Sequence, residues 1–232
     1  MVKNQKITKK NIFFLVLFLF FTSFLSLKTF QKIVLKDIKI YGTELFSTKD
    51  VVENSSLKLQ TRLVFIKTKF IEKELQENLS LEKVFLNRQI LPFGLKVYIK
   101  TRTPIAYGEK LLNGRKIKGF IDKDGFFINK NHADKKNMEN LTMKVFGWQA
   151  KYRKTLSKIL ISEKNNELEL IKVSFSQNGF LTLEERDLKT ILLGFNENLV
   201  ESQLQIINKL KYHLKNNDFS KTIDNVDLTD PN

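Results

Sequence analysis

From Ile12 to Leu27 the only polar residues are Thr22, Ser23 and Ser26, and none is charged. Continued through Lys28 and Thr29 to Phe30, the run reaches about 28 Å at ~1.5 Å per residue, with Lys28 able to snorkel toward headgroups. This predicts a membrane-crossing helix over 12–30, preceded by a tail over 1–11. Beyond it the pattern breaks into short elements. Residues 33–40, Ile-Val-Leu-Lys-Asp-Ile-Lys-Ile, end in alternation before Tyr41-Gly42-Thr43, and so predict a strand closed by a turn. Ser47-Thr48-Lys49-Asp50 has capping-box spacing and predicts a short helix to about Ser56. A second helix is predicted over Thr68 to Asn78, with Phe70, Ile71, Glu74, Leu75 and Asn78 on one face and Glu72, Lys73 and Glu77 elsewhere. Two strands follow, Leu81 to Ile90 and Leu95 to Thr101, split by the turn Leu91-Pro92-Phe93-Gly94. Residues 33–101 therefore predict strand, helix, helix, strand, strand.

The remainder predicts a mixed unit over 102–228. Phe120 to Ile128 is expected to form a hairpin that turns at Lys123 to Gly125. Leu141 to Gly147 predicts a strand and Trp148 to Ser162 a helix. Residues 167–175 and 179–184 form an alternating pair around Gln177-Asn178-Gly179, and Thr190 to Gly194 predicts a further strand. A long amphipathic helix spans Asn198 to Asn216, with Leu199, Leu204, Ile207, Leu210 and Leu214 inward, and a strand from Ile223 to Leu228 closes the chain before residues 229–232. The fold class is α+β.

Charge adds a direction. The tail carries Lys3, Lys6, Lys9 and Lys10 and no acid, so the positive-inside rule keeps it in the cytoplasm and exports everything beyond Phe30. Lys28, Lys32 and Lys36 on the far side weaken that bias. A cleaved signal peptide is the alternative for this segment, but no small-x-small site closes the run. Without the tail's four lysines the net charge of +15 falls to +11, and these cations alternate with acids instead of forming a stripe. Anionic headgroups are thus an easier partner than nucleic acid, which is not expected. The absence of cysteine excludes a disulfide framework, a thiol nucleophile and a Cys-ligated zinc site.

Candidate chemistry is sparse. Asp122 and Asp124 flank the Gly125 turn, but an EF-hand loop starting at Asp122 would need glycine where Phe127 stands, so turn hydrogen bonds are the expected role. His132 and His213 are the only histidines and make a poor metal pair. No nucleophile elbow, phosphate loop or nucleotide fingerprint occurs. No catalysis, cofactor, metal or small-molecule substrate is expected. Recognition of protein through a sheet edge remains, and the closing strand is the first candidate.

The strand after a membrane helix, Gly42, the Ser-initiated helix, and then Arg88, Pro92, Leu95, Val97, Ile99, Arg102, Pro104, Ile105 and Ala106 together resemble the POTRA domain of the bacterial division protein family FtsQ (DivIB in Gram-positive bacteria). Leu91 stands where the family has an aromatic residue, and Thr101 where it has Glu. The resemblance continues through the Asp122 to Gly125 hairpin, the strand ending at Gly194 and the closing Ile223-Asp224-Asn225-Val226-Asp227-Leu228. It implies a POTRA domain over 33–101, an FtsQ-like β-domain over 102–228, and structural roles for Gly42, Arg88, Pro92, Arg102, Pro104, Gly125 and Gly194. It also implies an inner-membrane divisome scaffold at the septum, whose POTRA domain aids recruitment and whose β-domain contacts FtsB and FtsL. Carried onto this chain, the contact residues are Ile223, Val226, Asp227, Leu228 and Thr229. Many members continue past the position of Asn232 into a further strand used for FtsB, so a shortened contact or another edge is expected here. The rival function is a POTRA-containing export or assembly factor that binds unfolded substrates. Such a factor would need a membrane β-barrel that the residues after Thr101 do not predict.

Overall fold

In the computed structural model, which describes residues 9–112, 114–134, 138, 140–165, 168–216, 223 and 225–230, the apolar run is helix α1 (Lys9–Thr29). Its stretch Ile12–Thr29 is apolar on every side, and none of it is covered by the rest of the protein. A helix apolar all round is either a buried core helix or a membrane span. With the first excluded by exposure, α1 is compatible with a single-pass membrane anchor. Most of the tail, residues 1–8, lies outside the described residues, as do Asp224, Pro231 and Asn232 in the predicted C-terminal segment.

The chain divides into two compact units, Met1–Thr101 and Arg102–Asn232. In the first, β1 (Ile38–Tyr41), α2 (Thr48–Glu53), α3 (Thr68–Asn78), β2 (Lys83–Gln89) and β3 (Gly94–Lys100) follow in order. β3 is central, parallel to β1 and antiparallel to β2. One sheet face carries Ile38, Leu86, Leu95, Val97 and Ile99 into a core with Val51 of α2 and Ile71 and Leu75 of α3. Ser47 and Asp50 close the expected capping box on α2, which ends earlier than predicted, at Glu53. Gly42 has φ +92°, and a Cβ there would come within 2.3 Å of the Ile99 carbonyl oxygen, so β1 can leave the sheet past β3 only with glycine at this position.

Two expectations need correcting here. Residues 33–37 are not strand: the Asp37 carboxylate accepts the Val34 N–H at 2.9 Å and holds Leu35–Asp37 in a 3-10 turn, while Ile33 pairs with the backbone of Gln60 and Thr61. On α3, Phe70 is 56% exposed and Glu72 is buried. The Glu72 carboxylate accepts the Leu86 N–H at 2.9 Å, satisfying a donor on edge strand β2, and receives Lys69 Nζ at 2.8 Å. That donor, invisible in the sequence, turns the expected face so that Glu72 joins Ile71 and Leu75 inside and Phe70 points out.

The second unit is an open eight-stranded sheet in the order β11-β10-β9-β8-β7-β4-β5-β6. Its strands are β4 (Pro104–Leu112), β5 (Arg115–Asp122), β6 (Phe127–Asn129), β7 (Lys144–Trp148), β8 (Leu170–Phe175), β9 (Leu181–Glu185), β10 (Lys189–Gly194) and β11 (Asn225–Asp227). Helix α4 (Arg153–Asn165) crosses between parallel β7 and β8, and α5 (Val200–Asn216) between parallel β10 and β11. Leu156, Ile159 and Leu160 of α4 and Val200, Leu204 and Ile207 of α5 share one core with Val145, Val173, Leu183 and Ile191 of the sheet. The predicted α4 start at Trp148 is wrong. Trp148 ends β7 and donates its Nε1–H to the Gly125 carbonyl at 2.8 Å, and a 3-10 turn, Ala150–Tyr152, intervenes. Leu199 precedes α5, and Val200 takes the inward position. Strand β4 and the first half of β5 were not predicted at all.

Arg102 and Asp122 form a buried ion pair at the base of β4 and β5, where Pro104 stands opposite Asp122. The second Asp122 oxygen accepts the N–H groups of Asp124 (2.9 Å) and Phe126 (2.8 Å), which is the expected turn role. Arg102→Ala strands that carboxylate in the interior. Urea unfolding of this variant is expected to show a loss of about 3–5 kcal/mol; a loss under about 1 kcal/mol would mean that the pair is not structural.

Candidate protein-recognition edge

The closing strand takes its place from its neighbours. β8, β9 and β10 form an antiparallel meander, α5 crosses the sheet, and β11 lies parallel to β10 with Thr190 opposite Asn225, Ile191 opposite Val226 and Leu192 opposite Asp227. The Leu228 N–H adds a bond to the Leu192 carbonyl at 2.9 Å. Three ladder pairs hold such a strand weakly. The reinforcement is Gln203, fully buried on α5, whose Nε2 donates to the carbonyls of Leu193 (2.8 Å) and Leu228 (2.6 Å). One amide thus ties α5 to the ends of both strands, satisfying two buried acceptors.

The strand ends in a turn built by its own side chains. Asp227 Oδ1 accepts from the Thr229 N–H (3.0 Å) and from Thr229 Oγ1–H (2.7 Å), and these two bonds hold the Asp227 carboxyl below its usual range. Gly194, at φ +82°, ends β10 where a Cβ would sit 3.3 Å from the Thr229 methyl. Leu228 is buried, and Ile223 and Val226 pack partly buried against the same core, whereas Asn225, Asp227 and Thr229 are exposed. The proposed contact residues thus fall into two sets: Ile223, Val226 and Leu228 seat the strand, while Asp227 and Thr229 face out. Among the described residues β11 is an edge strand, with β10 on one side only.

A second tie fixes α5 over the meander. The Glu185 carboxylate, at the end of β9, accepts the backbone N–H groups of Glu169, Asp187 and Leu188 and receives Lys211 Nζ at 2.6 Å; Lys211 also meets Asp187 at 3.2 Å. Burial works against the charge of Glu185, but Lys211 and the three N–H donors outweigh it and lower its pKa. Burial likewise opposes the charge of Lys211, and the two carboxylates outweigh it, raising that pKa.

The first unit offers a different surface. On its open face, Tyr41 of β1, Tyr98 of β3 and Phe85 of β2 stand in register, with centroids 5.1 Å apart for the stacked tyrosines and 6.3 Å for Phe85 and Tyr98. Lys96 lies over Tyr41 and Lys69 over Phe85, at 5.6 and 5.3 Å. Sequence reasoning missed this row, as it missed Gln203 and the Glu185–Lys211 tie. Alternation announced Tyr98, but only the strand register brings the three rings together. Of the remaining motif residues, Arg88 donates to the Val64 carbonyl at 3.0 Å, Pro92 lies in the turn before β3, and Pro104 begins β4. Gly125, at φ +73°, abuts the Arg153 backbone.

Among the described residues no three His, Asp or Glu side chains are placed to hold a metal. His132 sits in a 3-10 turn and His213 on the exposed side of α5. Glu163 is pushed up to about 7 by burial alone, not by a charged partner of the kind that tunes an acid–base pair.

Residues 34–102 match the family described as POTRA domain, FtsQ-type. The matched domain follows the apolar helix α1, an order that fits an FtsQ/DivIB-family protein. No curated protein matches the chain.

Gln203→Ala removes both bonds to the strand ends, and hydrogen exchange at Leu228 and Thr229 is expected to speed up with a loss of about 1–3 kcal/mol; unchanged protection there would exclude the latch. Glu185 is charged at a lower pH when folded than when unfolded, so its contribution is present above the unfolded value near ~4.3 and is lost as pH falls through the lower folded value. Acid titration of stability is therefore expected to be shallower for Glu185→Gln than for the native chain, with equal slopes as the contrary result.

Proposed function

We propose that this chain, which carries an FtsQ-type POTRA domain, is a non-enzymatic cell division protein, a scaffold of the bacterial divisome anchored by α1 with its N-terminus in the cytoplasm and its two folded units outside. The observation that carries the reading is the FtsQ-type POTRA domain that begins just after an apolar helix. The lysines of the tail favour the direction by the positive-inside rule. Its partners are small bitopic proteins of the FtsB and FtsL type, gathered at the septum by contacts outside the cytoplasm.

The recognition chemistry is strand addition at β11. A partner segment lying along Asn225–Asp227 takes its affinity from main-chain bonds and its register from the exposed Asp227 and Thr229. The edge is short and carries an outward acid, which limits promiscuous pairing. The POTRA domain provides recruitment through a separate surface.

A tagged copy is expected at midcell, and depletion is expected to filament or enlarge the cells; normal division on depletion would sink the scaffold reading. Within it, Asn225→Lys with Asp227→Lys is expected to cost about 1 kcal/mol of stability, through loss of the bonds from Thr229 to Asp227, while lowering co-isolation of FtsB- and FtsL-type proteins at least ~10-fold. Full co-isolation by a well-folded double variant would move the contact to another edge.

A further inference from the structure

The end of the first unit that adjoins α1 is apolar and exposed. The hydrogen bonds Phe30 N–H to the Ser26 carbonyl (3.2 Å) and Gln31 N–H to the Lys28 carbonyl (3.1 Å) continue the last turn of α1. Residues 60–63 are then joined to 31–33: Leu63 N–H donates to the Gln31 carbonyl at 3.1 Å, Ile33 N–H to Thr61 at 3.0 Å and Gln60 N–H to Ile33 at 2.9 Å. The 3-10 turn Leu63–Phe65 is therefore fixed two residues beyond the end of the helix. Arg88 Nη1 holds its Val64 carbonyl at 3.0 Å, and the Phe65 ring meets Phe30 edge to face at 6.5 Å.

The apolar side chains at this end face outward. Val64 is 42% exposed and Phe65 61%, and Leu35 and Leu91 lie at the same end of the sheet at 45% and 58%. Arg62 stands 5.8 Å from the Phe30 ring, and Lys28, Lys32 and Lys36 lie in the same stretch of chain. The occupant follows from position. Eighteen residues, Ile12–Thr29, span about 27 Å, close to the ~30 Å hydrocarbon core, and each headgroup layer is roughly 5–7 Å deep. A segment bonded to Gln31 then lies in the headgroup layer of whatever bilayer α1 enters.

We propose that Val64 and Phe65, with Leu35 and Leu91 beside them, form a second lipid contact, seated in the headgroup layer with the two former side chains at the acyl boundary and the surrounding cations on lipid phosphates. The proposal rests on reading α1 as a membrane anchor. It makes Arg88 a positioning residue that presents the turn to lipid, and it holds the POTRA domain at a set tilt instead of leaving it to swing on the chain.

The chain has no cysteine, so single labels can be placed directly. Full-length protein bearing a spin label at Leu19→Cys, Val64→Cys or Lys83→Cys is reconstituted into vesicles of phosphatidylethanolamine and phosphatidylglycerol, and collision with oxygen is compared with collision with a water-soluble nickel complex. The Lys83 label marks the opposite end of the sheet. Oxygen is expected to dominate at Leu19 and Val64, and nickel at Lys83. Adding Arg88→Ala to Val64→Cys is expected to lower the oxygen-to-nickel ratio at Val64 without changing it at Leu19 in a parallel sample. If nickel dominates at Val64 while Leu19 remains in lipid, the second contact is overturned and the anchor stands; shielding of Val64 from both agents assigns the face to a second copy and overturns it equally. Nickel access at Leu19 overturns the anchor and the proposal with it.

Discussion

The buried pair of Arg102 and Asp122 sets the terms for the second unit. Moving a guanidinium and a carboxylate out of water costs several kcal/mol per ion unless every lone pair and proton is matched. Here the matching partners lie on different elements. Asp122 takes the N–H groups of its own turn as well as Arg102, and Phe126, the last residue of that turn, lies between the guanidinium of Arg102 at 3.5 Å and that of Arg153 at 3.4 Å. Because Arg153 begins α4 and Trp148 of β7 donates to Gly125, one electrostatic requirement fixes a strand pair, a turn, a helix start and the end of a parallel strand. The α4 crossover and the meander are built outward from there.

Where the sequence was legible, the local signal and the tertiary demand agreed. α3 has the predicted bounds, and β8, β9 and β10 keep the alternation that announced them. β4 and the start of β5 were hidden because a glycine interrupts each strand. Gly108 and Gly119 stand opposite each other in the β4–β5 pair, and a Cβ on Gly119 would come within 2.6 Å of the Phe127 ring. Glycine inside a strand weakens it and so argues against one from sequence, yet here it makes room for an aromatic from the next strand. Glu72 and Asp37 misled in another way: each carboxylate serves a backbone N–H whose need for a partner arises only after the chain has folded.

At the candidate edge, the sequence located a closing strand over Ile223–Leu228, of which Asn225–Asp227 is strand, but not what retains it there. Gln203 reads as a polar residue that could equally face solvent on an amphipathic helix; only the convergence of the Leu193 and Leu228 carbonyls on its amide makes it a core residue. Lys211 is similar, one lysine among many until Glu185 and Asp187 come within reach. The aromatic row of the first unit depends on the register of three strands, which periodicity along a single strand does not encode.

The recruiting role proposed for β11 asks that its edge stay open to another backbone without pairing indiscriminately, and the construction of the strand is compatible with both demands. Its inward side chains, Val226 and Leu228, belong to the core, so the strand cannot slip by one residue without exposing them and burying Asp227. Gln203 grips its far end and the Asp227–Thr229 turn stops it, which limits the offered backbone to Asn225–Asp227. A ligand strand that extends further must find its remaining contacts on side chains, and those within reach at the edge are polar: Asn225, Asp227 and Thr229. Register control by the core and, under the proposed role, selectivity by an exposed acid would therefore both follow from the same short strand.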